Sequence, residues 1–293
     1  MKKARWQLIG AMLFFGSVSL PVRALPFSSA QISLARGWLG CLFLVLISFL
    51  IGQKPRPDHI RANLLPLLTA GLGIGGNWIL LFQAYRFTTV ANATLCYYFA
   101  PVLVLFLSPF LLGERLRPGR VLCVLAATAG MVCVIGSKGL SGSVRPAAGI
   151  LFGLGAAVLY AVVMLSNQFL RGISDLERSI AQLLIASLFL LAYVGIFEDV
   201  RPLLHPGPGS GLLLLVLGIL YTGVAYYLYF AGMARLNAQT VALYSYIDPA
   251  FAIFFSAVFF REPLTPLQLF GGILILGATF LPEWRAARTR HGD

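Results

Sequence analysis

Asp248 stands in the middle of the apolar run from Tyr244 to Phe260, with Pro249 beside it and Glu262 just past its end. An ionisable side chain at such a depth in lipid costs at least about 2.5–3.5 kcal/mol, so it normally faces a cavity or a partner and marks a transport or proton pathway. A carboxyl group held there is a candidate proton carrier. A structural role is the alternative. Pro249 leaves the carbonyl one turn back without its donor, and the carboxyl could organise that bend with Ser245 or a tyrosine hydroxyl. The other acidic residues lie in connectors or at the ends of apolar segments.

Aromatic and amide side chains supply the second chemistry. Asn77 and Trp78 share one apolar segment, Thr94 and Tyr98 the next, and Tyr160 and Tyr226 lie in later ones, while Tyr244 and Tyr246 shortly precede Asp248. Buried phenol and indole groups need partners, which suits a polar, aromatic-lined cavity for a substrate. Some of the tyrosines belong instead to the belt at headgroup level. Arg36, a little inside the end of the second segment, could bind a substrate carboxylate bidentately. Snorkelling outward or a structural pairing is the favoured reading for it. Pro101 and Pro249 each interrupt an apolar helix and are candidate gating bends.

Other chemistries fare worse. Gly71-x-Gly73-x-x-Gly76 has the letters of a dinucleotide fingerprint, but no acid occurs between Asp58 and Glu114 and the motif means nothing inside a long apolar helix. Close helix packing explains these glycines, and also Gly149 and Gly153. No phosphate-cradling loop is present, so the chain is not its own ATPase. Cys41, Cys96, Cys123 and Cys133 lie in apolar runs without metal-ligand spacing, and the three histidines lie in polar connectors. No catalytic residue, metal or cofactor is expected, and an enzyme is disfavoured.

The elements that must position these groups are membrane helices. The chain has 293 residues, 59% of them hydrophobic and only 11% charged, against roughly 25% charged in soluble proteins. Its net charge of +12 is scattered between apolar runs, so topology explains it better than nucleic acid does. Ten segments approach the length of a span: about 6–22, 33–51, 64–85, 90–112, 119–136, 148–166, 180–197, 212–232, 239–260 and 266–282. The basic start and short apolar run before Ala24 also fit a cleavable signal peptide. The symmetry described next favours a retained helix.

A gapless shift of 148 residues lays Tyr98, Pro101, Phe106, Ser108, Glu114, Leu116 and Pro118 on Tyr246, Pro249, Phe254, Ser256, Glu262, Leu264 and Pro266. That is an internal duplication. Each half holds five segments, an odd number, so the copy must insert upside down, as in secondary transporters whose site lies near the midplane. The position matching Asp248 is Ala100, so the duplicated fold does not require an acid. The expected fold is all-α and integral to the membrane: ten transmembrane helices as two inverted five-helix repeats, 1–136 and 148–293, joined by a polar linker, 137–147. Lys and Arg number 15 on the side of both termini and 7 on the other, which puts both termini in the cytoplasm.

Ten segments, an inverted duplication, and the pieces Pro101…Glu114-Arg-Leu-Arg-Pro118 and Tyr246-Ile-Asp-Pro249…Glu262-Pro-Leu-Thr-Pro266 together resemble the EamA-type transporters of the drug/metabolite transporter superfamily. The resemblance covers about 5–136 and 148–282. It implies a central cavity lined by segments 1, 3, 4, 6, 8 and 9, with the fifth and tenth behind, packed through Ala126, Gly130, Gly271, Gly272 and Gly277. It implies no single substrate, since members carry amino acids, other metabolites and various small organics. No intramembrane histidine or lysine cluster supports the sugar-phosphate branch.

The expected function is a secondary transporter of the inner (plasma) membrane that moves a small amphiphilic metabolite by alternating access. Export of an amino acid or related compound is the best fit, with Asp248 available to exchange a proton. The expected partners are the substrate and the lipid bilayer, with no nucleic acid, in a monomer or homodimer. An uncoupled facilitator with a structural Asp248 is the alternative within the fold. Outside it, a lipid-handling membrane enzyme would need an acid or histidine cluster near headgroup level. An embedded interaction subunit would have no use for Asp248, Asn77 and Tyr98 at the midplane.

Overall fold

The computed structural model describes residues 2–22, 24–53, 55–88, 93, 96–136, 146–260 and 265–289. The first half contains α1 (Lys2–Ser17), α2 (Ser29–Leu50), α3 (Leu64–Phe87), α4 (Ala100–Leu112) and α5 (Pro118–Gly136). The second contains α6 (Pro146–Ser166), α7 (Asp175–Phe197), α8 (Pro208–Met233), α9 (Ala238–Ser245), α10 (Ile247–Phe260) and α11 (Pro266–Thr289). No strand occurs among the described residues. Five described helices are long and apolar enough to cross a membrane: Ser29–Leu50, Leu64–Leu81, Ala147–Phe169, Asp175–Phe197 and Pro208–Met233. Shorter apolar stretches lie in α4, α5 and α11.

Helix starts are set by local side chains. Ser28 and Gln31 form a reciprocal capping box at α2, as do Ser174 and Glu177 at α7, satisfying donors that a helix start leaves open. Asn237 caps α9 by accepting from the Thr240 amide at 2.9 Å. Gly113 ends α4 with φ at 66°, a left-handed conformation that glycine adopts without steric cost.

The packing repeats under exchange of the two halves. α3 lies against α6, as α8 lies against α1; α3 also packs on α7, as α8 does on α2. α4 touches α6, as the α9–α10 pair touches α1. The equivalent helices α2 and α7 pack on each other, as do α5 and α11, and α4 packs on α9 of the other half. Gln31 donates to the Asp199 carbonyl, a Cβ on Gly37 would strike Ser187, and Cys41 reaches the Ile180 carbonyl. Residue numbers rise along α2 as they fall along α7, so the two equivalents run antiparallel. α4 meets α9 of the other half through Ser108, tied to Gln239, and Glu114, tied to Ala238. Equivalent helices that run antiparallel mean that one half is inverted relative to the other.

Glycines let these helices close up. On α3, Cβ atoms at Gly71 and Gly75 would strike Ile185 and Phe189 of α7, and at Gly73 and Gly76 would strike Val163 and Leu159 of α6. Gly130 meets the Gly271 carbonyl and Ile275 where α5 packs on α11. Gly272 and Gly277 meet nothing within 4 Å, which corrects the expectation that they pack. The structure also has a feature that the sequence does not announce, a π-helical turn at Ile219–Val224 within α8. Thr222 Oγ1 donates to the Leu217 carbonyl five residues back, 2.9 Å away.

The two proline breaks are present in the backbone. Tyr98 and Phe99 form a turn before α4, and Tyr246 separates α9 from α10. Pro101 and Pro249 therefore sit in the first turn of a new helix, where a missing N–H costs nothing. Glu262 lies outside the described residues.

Candidate functional site

A cavity of about 340 Å³ lies between the halves, lined by Arg36, Asn77, Trp78, Tyr160, Tyr226 and Asp248 among others. That is near the low end of the roughly 300–1,000 Å³ usual for small-molecule pockets. The walls come from α1, α3, the turn before α4, α6, α8 and α10, and also from α2 through Ser29, Ile32, Ser33 and Arg36. The contribution of α2 corrects the expected lining. It follows from the cavity's extension toward the α1–α2 connector, where Val18 and Val22 face it.

Arg36 does not snorkel outward. Its guanidinium carbon lies 4.5 Å from the centroid of the Trp78 ring, and the Tyr226 hydroxyl is in reach to accept a hydrogen bond from it. Its Nε is buried without a hydrogen-bond partner. Arg36 is half-buried, and a cation over an indole face gains about 0.5–1 kcal/mol where water reaches it and about 2 kcal/mol where it does not. A planar donor fork fixed in this way suits a carboxylate.

Aromatic rings form the rest of the wall. Tyr97 stacks on Tyr160 with centroids 5.2 Å apart, and Trp78 meets Tyr226 edge-on at 5.9 Å. The Tyr229 hydroxyl donates to that of Tyr160 across 3.1 Å. Tyr97 and Tyr229 line the cavity although neither was singled out as a site residue; the stacking of Tyr97 on Tyr160 and the Tyr229–Tyr160 hydrogen bond are long-range contacts that no local spacing announces. Asp248 lies in the first turn of α10, where the positive end of the helix dipole favours a carboxylate, and Tyr98 is within hydrogen-bonding reach. Asn77 uses its amide N–H on the Ala156 carbonyl of α6, 2.7 Å away, so it fixes the wall as well as lining it.

Three expected residues are not brought to the cavity. Tyr244 is buried in the packed core beside it. The Tyr246 hydroxyl lies 2.7 Å from Thr128 Oγ1 of α5, in a separate cluster with Val124, Ala127 and Ile275. Thr94 lies outside the described residues. Tyr98 and Tyr246 are equivalent in the repeat, yet only the first reaches the cavity.

The face opposite the α1–α2 connector is tied shut by side chains from both halves. The Glu114 carboxylate accepts from the backbone N–H of Ala238 at 2.8 Å and of Gln239 at 3.4 Å. Gln239 Nε2 donates to Ser108 Oγ at 2.9 Å, and Arg120 Nη1 donates to Gln239 Oε1 at 3.1 Å. Glu114 thus caps α9 of the other half and does not merely shape its own turn. Gln168 donates to the Met233 and Leu236 carbonyls, and Arg235 pairs with Asp175 at 2.7 Å. Among the described residues no group of three His, Cys, Asp or Glu side chains is placed to hold a metal ion.

A family model, that of the EamA-like transporter family, matches residues 3–136 and again residues 147–282. A Bacillus subtilis protein named as an uncharacterized transporter, YxxF, is 26% identical over 286 residues, covering 94% of this chain and 88% of the relative. An Archaeoglobus fulgidus protein, also named as an uncharacterized transporter, is 30% identical over 97% of both chains. YddG of Ancylobacter novellus, named as an aromatic amino acid exporter, is 29% identical over 218 residues, 73% of this chain and 74% of that one. A crystal structure at 22% identity superposes with a TM-score of 0.79 over 94% of this chain and 96% of the other, a likeness of fold.

Proposed function

Because the chain belongs to the EamA-like transporter family, matched in both of its halves, we propose that it is a secondary transporter that carries an amino acid or related amphiphilic metabolite out of the cell. The helices make ten crossings of the inner membrane, with both termini and the tied face in the cytoplasm. The cavity between the inverted halves then faces outward, and rocking of the halves about it, with bends at Pro101 and Pro249, carries the substrate across.

One observation supports this reading above the others: a fixed guanidinium and a carboxyl group line a single aromatic-walled cavity. Arg36, held on Trp78, takes the substrate carboxylate. The rings of Tyr97, Tyr160, Tyr226 and Tyr229 cover its apolar part, and the size of the cavity admits one such molecule. The named activity of the Ancylobacter relative agrees with this substrate class. Asp248 exchanges a proton during the cycle. Tyr98, within reach of Asp248, favours a second reading in which the carboxyl only holds the turn and transport is uncoupled.

Transport in proteoliposomes with an amino-acid panel separates the two. Under the coupled reading a proton gradient accelerates the wild type but not Asp248→Asn, and the variant still exchanges substrate. Equal rates in both proteins, indifferent to the gradient, leave the uncoupled reading.

A further inference from the structure

Arg178 is only 4% exposed, yet its Nε and Nη1 are buried without hydrogen-bond partners. An unpaired buried charge is strongly destabilising, so a group kept in this state calls for a partner that the resting arrangement lacks. The neighbouring acids are engaged elsewhere. Asp175 pairs with Arg235 at 2.7 Å. Glu177 accepts from the backbone of Ser174 and Arg56 and meets His59. Arg178, Arg235 and Asp175 interact as a group with an excess of one positive charge, in the first turn of the 23-residue helix α7. A helix start favours an anion through its dipole. At 4% exposure neither bulk water nor a lipid headgroup reaches the guanidinium.

Arg178 and Arg36 share one feature, a buried guanidinium N–H with no partner, and they sit on α2 and α7, the antiparallel pair that packs across the two halves. Ser187 faces Gly37, next to Arg36. Arg178 is nine residues nearer the start of α7 than Ser187, which is ~13 Å along the helix at 1.5 Å per residue, toward the tied face. The match is not positional, because the 148-residue shift lays Leu184 on Arg36. It is a match of chemistry, since each guanidinium keeps a buried Nε without a partner.

We propose that Arg178 is a second carboxylate-binding group, reached from the cytoplasm when the tied face opens, so that an acidic or zwitterionic substrate meets Arg178 on the inner side and Arg36 on the outer side. This rests on the transporter reading above. Opening breaks the cross-half contacts of Glu114 and Ser108 with Ala238 and Gln239, and the arriving carboxylate takes the free Nε and Nη1 of Arg178.

The test is radiolabelled phenylalanine and, beside it, phenylalanine amide, which has no carboxylate, offered to either side of uniformly oriented proteoliposomes. For phenylalanine, Arg178→Gln should raise KM on the cytoplasmic side by about tenfold while KM on the outer side stays within about twofold. Arg178→Lys, which keeps the charge if the glutamine variant does not fold, should recover part of the loss. The amide should show no side-dependent change in either variant. Equal KM values for wild type and variants, or a change alike on both sides, overturns the assignment while the transporter reading stands. A wild type that carries neither compound overturns both.

Discussion

The tie between Glu114 and α9 lends itself to a quantitative test, because it joins the two halves through one side chain. A hydrogen bond to a charged group contributes about 1.5–3 kcal/mol, and the 2.8 Å contact with the Ala238 amide is of that kind. The 3.4 Å contact with Gln239 is too long to add much, and the charge at a helix start adds about 0.3–1 kcal/mol. Glu114 is partly exposed, so the lower ends apply, giving about 2 kcal/mol for Glu114→Ala. At 1.4 kcal/mol per factor of ten, the population with this face open rises about 30-fold. Val241, buried on α9 two residues past Gln239, can report it. In a background without Cys41, Cys96, Cys123 and Cys133, Val241→Cys is labelled by a membrane-impermeant maleimide from the tied side. Glu114→Ala should speed labelling by about 30-fold, and Glu114→Gln, which keeps one acceptor, by less. Unchanged labelling alongside a lower melting temperature would refute the reasoning, since the tie would then hold the fold together without holding the face shut.

Four further outcomes follow from the packing. A Cβ at Gly40 would lie 2.9 Å from the Gly218 carbonyl and 3.0 Å from the Gly223 amide, so Gly40→Ala must push α2 from α8 at a cost of about 1–3 kcal/mol. Gly195→Ala, with nothing within 4 Å, should leave thermal unfolding in detergent unchanged or slightly raised. Tyr246→Phe should cost about 1 kcal/mol through loss of the Thr128 contact, measured by the same unfolding assay, without changing substrate KM. Trp78→Ala should raise KM at least tenfold by releasing Arg36, whereas Trp78→Phe, which keeps an aromatic face, should raise it less.

The sequence makes the architecture readable because its constraints are local. Pro101 and Pro249 cannot sit in a helix interior without cost, so each marks the start of a new helix, and the Pro, Glu and Pro positions shared by the halves carry the duplication. Buried tyrosines and Asp248 are legible as cavity groups because lipid penalises them. Direction is harder to read. One residue of helix phase is about 100°, enough to decide whether Arg36 leaves for the surface or lies on Trp78. Tyr98 and Tyr246 occupy equivalent positions, and only packing against Thr128 separates the second from the cavity. The role of Glu114 as cap of α9 depends on a contact across 124 residues that no local pattern encodes. The π-helical turn in α8 has no composition of its own.

The account turns on Arg36 as the outer carboxylate anchor, and saturable uptake into proteoliposomes measures that directly. With a zwitterionic amino acid on the side of the α1–α2 connector, Arg36→Gln should raise KM by tenfold or more, and Arg36→Lys by less. The corresponding amide, lacking the carboxylate, should respond little to either change. An Arg36→Gln protein that carries the amino acid with the KM of the wild type would contradict the account.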